Sequence, residues 1–389
     1  MSSSDSSERR RRPLRDALLV GALALGLLGA LELAARALTA PPEPRWWLDV
    51  PTLGWRLRPD FVGEISDAQR AIDAQGLLSL DSGQAAAGRP GPILVLGDSR
   101  AFGSAVAADA TFAEVLDRRL PAIDVLNLGV PGYSAVQGVE RLRDEIPLRR
   151  PRAVIFGFGF NDRRSVERAA EVDEPTAFTR RARRLRRIGW IGRLRVVGAL
   201  GSLVRGASGV DVTTLRPRVD PERYRRALDA AARLAAAHDV ELILLQLGDH
   251  PRQAAPLELG ERRAQGAPER AVAPLERAVA LDNAFSDAAR RRLVDIHRAL
   301  GDAASADAVR HSPRRLRSLA GGFPILAEND YRRSVEDVAA AHGLVWIDAE
   351  RALATHPDWF FDYCHFDARG HQRVAQLLER ELRQRRLLV

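Results

Sequence analysis

A serine, a histidine and an aspartate in this 389-residue chain stand where covalent acyl chemistry would need them. The apolar run Ile93-Leu94-Val95-Leu96 ends in Gly97-Asp98-Ser99, and Asp362-Tyr363-Cys364-His365 lies near the C-terminus. A serine hydroxyl is a poor nucleophile until an imidazole takes its proton, and the imidazole needs a carboxylate to fix its tautomer and stabilise its charge. Asp362 is close enough in sequence to reach His365. Two further segments carry polar groups of use to such chemistry. Asn127-Leu128-Gly129-Val130-Pro131-Gly132-Tyr133-Ser134 is a glycine-rich turn in which a backbone N–H can face a ligand with no side chain in the way. Gly157-Phe158-Gly159-Phe160-Asn161-Asp162 delivers an amide side chain. Singly, each piece has a plainer use: Gly132 in a tight turn, Asn161 as a helix cap, His365 at the surface. A second chemistry also fits, because Asp362, His365, Asp367 and His371 are metal-ligand types packed into one short stretch.

The elements that must position these residues alternate. Ile93–Gly97, Ile123–Leu128, Ala153–Phe158, Leu242–Leu247 and Leu344–Ile347 are short apolar runs, the pattern of strands buried on both faces. Helical stretches separate them: Thr111–Leu120, Ala135–Glu145, Tyr224–His238, 329–342 and a last one from Gly370 to about Arg383. Asp220-Pro221-Glu222 is an N-cap followed by proline at the first helical position. Such alternation predicts a parallel sheet with right-handed crossovers, helices on both faces and chemistry at the carboxyl ends of the strands. Two segments interrupt it. Residues 163–219 are long and basic, and residues 252–321 carry the spacing of a helical hairpin with a faint likeness to one tetratricopeptide unit, which cannot bury its face alone.

The net charge is +8, and no lysine occurs, so arginine carries the whole basic count. With no nucleic-acid motif and no aromatic-interleaved basic patch, a nucleic-acid partner is not expected. A single cysteine, Cys364, rules out an internal disulfide framework and a cysteine-based zinc cluster. The N-terminus has Arg9–Arg12 and Arg15 ahead of an uncharged run from Ala17 to Leu31, with Glu32 and Arg36 spaced to pair on a helix. Two readings compete, a secretory signal cleaved near Ala35-Arg36-Ala37 and an uncleaved signal-anchor helix over 16–38; the charged Glu32 before that site favours the anchor, with a basic cytoplasmic tail over 1–15 and everything after the helix outside the cytoplasm. Pro41-Pro42-Glu43-Pro44 then opens a linker and N-terminal extension over 39–91. Trp46, Trp47 and Trp55 within it suit either a membrane interface or a cap on the sheet.

Together and in this order, the four polar pieces resemble the blocks of the SGNH/GDSL hydrolase family, over most of 92–389. The resemblance implies a flavodoxin-like three-layer α/β/α sandwich with a parallel sheet, here with a helical insertion and an N-terminal transmembrane helix. It makes Ser99 the nucleophile, His365 the base and Asp362 its orienting acid. The oxyanion hole becomes the Ser99 and Gly132 backbone N–H groups with the Asn161 side chain, and no cofactor or metal is required. Arg100 departs from the family pattern, standing where a small or apolar residue is common. The implied activity is that of a serine esterase or O-acyltransferase acting through an acyl-enzyme on an ester-bearing small molecule, lipid or glycan. Against it stand a metal-dependent hydrolase built on the cluster near the C-terminus and a catalytically silent glycan-binding protein of the same fold. Protein partners are not named by the sequence.

Overall fold

The computed structural model describes residues 45–50, 52–66, 68–78, 91–167, 215–280, 286–310 and 329–385, with helical residues 20, 23, 26–34 and 36–37 near the N-terminus. The chain divides into two compact units, Met1–Pro44 with Arg180–Ser208, and Arg45–Thr179 with Gly209–Val389. In the first, Arg36 Nε donates to Glu32 Oε1 at 2.8 Å, the pairing that the spacing predicts. No helix among the described residues is long and apolar enough to cross a membrane. Much of the expected anchor, and the basic run from Arg180 to Arg187, lie outside the described residues.

The second unit is built on a five-stranded parallel sheet. Before it come two antiparallel pairs, β1 (Trp47–Val50) with β2 (Gly54–Leu57) and β3 (Val62–Ile65) with β4 (Ala68–Ala71). The sheet comprises β5 (Ile93–Gly97), β6 (Val125–Asn127), β7 (Ala153–Gly157), β10 (Glu241–Gln246) and β11 (Val345–Asp348), in the spatial order β11-β10-β7-β5-β6. All four pairings are parallel. In chain order the five sheet strands are therefore arranged 2-1-3-4-5, the flavodoxin-like order, whose switch point lies between the first and third strands. Between β7 and β10, β8 (Ser165–Glu167) pairs antiparallel with β9 (Leu215–Pro217) and draws together the two ends of the basic segment.

Period-two alternation sorts the strand residues into two cores. Leu94, Leu96, Val154, Phe156, Leu242 and Leu244 face one cluster, and Ile93, Val95, Ala153, Ile155, Ile243 and Leu245 face the other. The first is covered by α3 (Ala135–Arg149), α5 (Pro221–Ala237) and α10 (Asn329–His342) through Leu142, Leu228 and Val335. The second is covered by α2 (Phe112–Arg119) and α12 (Ala368–Gln384) through Phe112, Leu116, Val374 and Leu378. Each such side chain contributes about 1.5–3 kcal/mol on burial, which makes a sheet covered on both faces the stable solution for these uninterrupted apolar runs.

Local signals agree with the expected elements. Asp220 caps α5 ahead of Pro221, Thr111 caps α2, and Ser134 with Gln137 forms a capping box on α3. Helix α3 runs to Arg149, past Glu145, and tolerates Pro147 inside it. Leu53, Leu57, Phe61, Ile65, Ile72 and Leu78 of the extension are buried in the first core, so these residues are part of the packed unit. The second interruption holds four helices, α6 (Pro251–Ala264), α7 (Pro268–Ala280), α8 (Ser286–Ala299) and α9 (Ala303–Arg310), two helical pairs where the sequence suggests one hairpin. Their apolar faces close on Phe160 and Cys364.

The loop after β6 lies hard against the turn after β5. Val130 N–H donates to Gly97 O at 3.0 Å, and a Cβ on Gly129 would sit 2.4 Å from Phe102 N. A backbone atom cannot yield as a flexible side chain does. Gly129→Ala should therefore destabilise the fold by about 1–3 kcal/mol, read from urea unfolding midpoints; an unchanged midpoint would show that the loop can retreat.

Candidate active site

Three strand ends and one loop bring the expected residues together. After β5, Asp98 caps the short helix α1 (Ser99–Phe102), its Oδ1 accepting from Arg100 N–H at 2.9 Å. This sharp strand-to-helix turn leaves Ser99 partly accessible between fully buried neighbours. It needs glycine before it, because a Cβ on Gly97 would lie 2.8 Å from Gly157 O on β7. Ser99 also holds the first helical position, whose N–H has no intrahelical acceptor.

The histidine and its acid come from a loop closed on itself. Phe361 N–H donates to His365 O at 2.9 Å, and Phe360 pairs with Phe366 in an antiparallel bridge. Inside it, Asp362 Oδ1 accepts from the Cys364 and His365 N–H groups, each at 2.8 Å. Its Oδ2 lies 2.8 Å from His365 Nδ1. The far nitrogen, Nε2, lies 2.8 Å from Ser99 Oγ. With Nδ1 donating to the carboxylate, the Nε2 lone pair faces the serine hydroxyl and accepts its proton. Burial alone would raise the Asp362 carboxyl, but the hydrogen bond and charge of His365 and the two N–H donors outweigh it, so its pKa lies below the usual value and the group stays ionised.

Gly132 and Asn161 follow the two strands that neighbour β5 in the sheet, β6 and β7. Tyr133 N–H donates to Val130 O at 3.2 Å, with Pro131 and then Gly132 at φ +85° between them. Proline followed by a residue of positive φ makes a type II turn, which wants glycine at that place. Asn161 sits in α4 (Phe160–Arg163) after β7 and is 2 % exposed. Its Oδ1 accepts from Arg164 Nη1 at 3.0 Å, and its Nδ2 is buried with no hydrogen-bond partner among the described residues. Arginine donates only, so this contact fixes which end of the amide is oxygen and leaves the N–H pair for a ligand. A buried donor kept unpaired is costly and calls for a use. Asp162 supports both donor segments: its carboxylate accepts from Ala135 N–H at 2.9 Å and Gly159 N–H at 3.1 Å. Burial pushes that carboxyl up to about 7.

The metal alternative is not assembled. Asp367 caps α12, accepting from the Arg369 and Gly370 N–H groups at 2.9 and 3.1 Å. His371 is 1 % exposed, and its Nδ1 accepts from Phe112 N–H at 3.1 Å. Burial, with the nearby His365 and Arg70, pushes its pKa down to about 3, so it is neutral packing. Neither joins the group formed by Asp362, Cys364 and His365, whose ligand atoms lie within 4.8 Å of one another among the described residues. In that group the imidazole and carboxylate already satisfy each other. Cys364 Sγ is 3.6 Å from His365 Nδ1, but burial first and the Asp362 charge second raise its thiol well above the usual value, so no thiolate competes with Ser99.

Sequence reasoning missed the residues behind the site. Arg164 carries no motif signal, and Arg218 and Trp55, which hold the Gly132 turn, lie far from it in sequence. Arg100, which the sequence marks as a departure, is buried against Asp98 and Leu247 O.

Residues 95–266 match the GDSL-like Lipase/Acylhydrolase family, a span that holds Ser99, Gly132 and Asn161. No curated protein matches the chain. Among solved structures, a lipase/acylhydrolase from Enterococcus faecalis is similar at 17% identity and TM-score 0.38, covering 76% of this chain and 96% of that one. A psychrotrophic esterase from Pseudoalteromonas sp. gives 10%, 0.39, 76% and 98% on the same measures. An acetylxylan esterase from Geobacillus stearothermophilus gives 13%, 0.36, 76% and 95%.

Two substitutions test the geometry. Asn161→Ala should lower kcat on an ester by about a hundredfold or more with the thermal unfolding profile retained; a wild-type kcat would remove Asn161 from the donor set. Asp362→Asn keeps an oxygen for the Cys364 and His365 N–H groups but loses the charge. Its kcat should fall on the order of a thousandfold or more at nearly unchanged stability, and full activity would mean that another acid orients His365.

Proposed function

We propose that this chain, a hydrolase of the GDSL-like lipase/acylhydrolase family over residues 95–266, is a serine esterase or O-acyltransferase that works through an acyl-enzyme on an ester-bearing lipid or glycan at the cell envelope. One observation carries the reading. An unbroken hydrogen-bonded chain runs Ser99 Oγ, His365 Nε2, His365 Nδ1, Asp362 Oδ2, with both contacts at 2.8 Å, and the buried Asn161 Nδ2 has no hydrogen-bond partner among the described residues.

In the first step His365 Nε2 takes the hydroxyl proton as Ser99 Oγ bonds to the ester carbon. The carbonyl electron pair moves onto oxygen, where the Ser99 and Gly132 N–H groups and Asn161 Nδ2 receive it. These donors act most strongly on the charged species, so they lower the barrier more than they tighten substrate binding. Collapse breaks the bond to the alcohol oxygen, which leaves with the proton from His365. The acyl group on Ser99 is then passed by the same proton relay to water, for hydrolysis, or to a sugar hydroxyl, for transfer.

The envelope location rests on the sequence: the Arg9–Arg12 cluster ahead of the Ala17–Leu31 run orients such a segment with its N-terminus in the cytoplasm. The Glu32–Arg36 ion pair at 2.8 Å offsets two charges at the end of that run. Carbonate-washed membranes should retain the full-length protein and lose it when residues 1–40 are deleted. Recovery of the full-length protein in the soluble fraction would remove this part of the reading.

A fluorophosphonate should label the purified protein at Ser99 alone, and Ser99→Ala should abolish both labelling and turnover of acyl esters; label on a different serine would end this mechanism. A screen of short and long acyl esters, with water and with sugar acceptors, then separates esterase from transferase.

A further inference from the structure

We infer that Trp55, in the strand pair ahead of the sheet, is a positioning residue of the oxyanion hole, acting through the Pro131–Gly132 peptide. The inference rests on Gly132 being an oxyanion donor as proposed above. Trp55 lies on β2, outside the 95–266 span and outside every sequence block of the site.

A trans peptide is planar, with its C=O and N–H pointing to opposite sides. The unit that carries the Gly132 N–H therefore carries Pro131 O on its far edge, and Trp55 Nε1 donates to that oxygen at 3.2 Å. This unit is also the central peptide of the Val130–Tyr133 turn. Type I and type II turns differ mainly by a flip of that central peptide, and glycine beside it does little to prevent the flip. A flip would turn the Gly132 N–H away from the site and Pro131 O away from the indole. The Trp55 bond is made only in the unflipped state and selects it. By withdrawing charge at the carbonyl, it also strengthens the N–H on the other edge as a donor.

The indole is itself held on several sides. The Tyr133 hydroxyl donates to Trp55 O, the two rings meet edge to face at 5.5 Å, and Gln137 Nε2 holds Leu53 O at 2.6 Å. Arg218 lies over the indole at 5.6 Å. Its Nη1 donates to Gly132 O at 2.6 Å and its Nη2 to Gln137 Oε1 at 2.6 Å. Both carbonyls flanking the Gly132 α-carbon are thus tied to one stacked pair. A Cβ on Gly132 would lie 3.1 Å from Trp55 Cζ2, so the ring also closes the space behind the turn.

The test uses the full chain with Trp55→Phe, which keeps an aromatic ring and loses the N–H. On an acyl ester, kcat should fall about tenfold, a partial loss of one oxyanion donor, while KM stays within about twofold. Affinity for a trifluoromethyl ketone, which forms a tetrahedral oxyanion on serine, should fall by a similar factor. A merely structural role would lower the unfolding midpoint without that paired loss. If the Phe variant does not fold, β-(benzothienyl)alanine at position 55 keeps the indole shape with sulfur in place of N–H and should give the same result. Unchanged kcat and ketone affinity in a folded variant overturn the inference, and so does a rise in KM alone, which would place Trp55 in substrate binding. Ser99→Ala and Asn161→Ala run alongside: if they retain activity the reading of the site fails and takes this inference with it, whereas their loss beside an active Trp55→Phe sinks the inference alone.

Discussion

The contact between Ser99 Oγ and His365 Nε2, 2.8 Å long, joins residues 266 positions apart, and the structure can be read as the means of making it. A proton passes between these atoms only within hydrogen-bond reach, so both the turn after β5 and the loop before α12 must be fixed to a fraction of an ångström. Neither segment is rigid by itself. The parallel sheet supplies the reference frame. β5 and β7 meet at its switch point with Gly97 opposite Gly157, an approach close enough that a Cβ on Gly97 would touch the Gly157 carbonyl. Ser99 and Asn161 thereby leave the sheet side by side, while α12, packed on α2, carries the other end of the chain to the same edge.

Beneath the site a buried set of charges joins the three segments. Arg100 pairs with Asp98 at 3.1 Å and donates to Leu247 O at 2.7 Å, and Arg163 pairs with Asp249 at 2.6 Å. The residue after Asp249 donates its N–H to Tyr363 O at 2.9 Å, inside the loop that carries Asp362 and His365. Burial alone would depress the Arg100 guanidinium, yet Asp98 and Asp249 hold it above its usual value. Such a network adds little net stability over an apolar core of the same volume, but removing one member leaves a bare buried charge at a cost of about 3–5 kcal/mol. Its value lies in geometry, because charge-assisted bonds tolerate few alternative arrangements. Arg100, unusual at its position in sequence, is explained by this role.

Much of the fold was legible because its signals are local and periodic. Buried parallel strands show as short uninterrupted apolar runs, and all five were placed within a few residues, as was the cap at Asp220. The four polar blocks of the candidate site stand out for a related reason: each pairs a strand end or loop with a residue type that the proposed chemistry demands. What escaped was the support. Arg164 on Asn161, Trp55 and Arg218 on the Gly132 turn, and Asp162 across to Ala135 are contacts between segments whose spacing carries no period. Asp367 and His371 misled in the opposite sense, since a metal-ligand residue type does not reveal that one side chain caps a helix and the other accepts an amide proton in the core.

The helical insertion shows how such support can come from a part of the chain outside the four blocks of the candidate site. One tetratricopeptide-like unit cannot bury its own apolar face, and the structure resolves this in two ways, by doubling the unit and by closing the shared core on Phe160 and Cys364. Those two residues adjoin Asn161 on one side and His365 on the other. Cys364 is fully buried, and its N–H donates to the Asp362 carboxylate at 2.8 Å. A larger side chain there would have to displace either the insertion or the turn that holds Asp362 and His365, and close-packed interiors transmit such displacements. The small residue thus has a steric reason to be small, while its burial suppresses the thiolate. The same packing that hands the insertion a partner for its core gives the loop of Asp362 and His365 a fixed back wall, so the two can only be varied together.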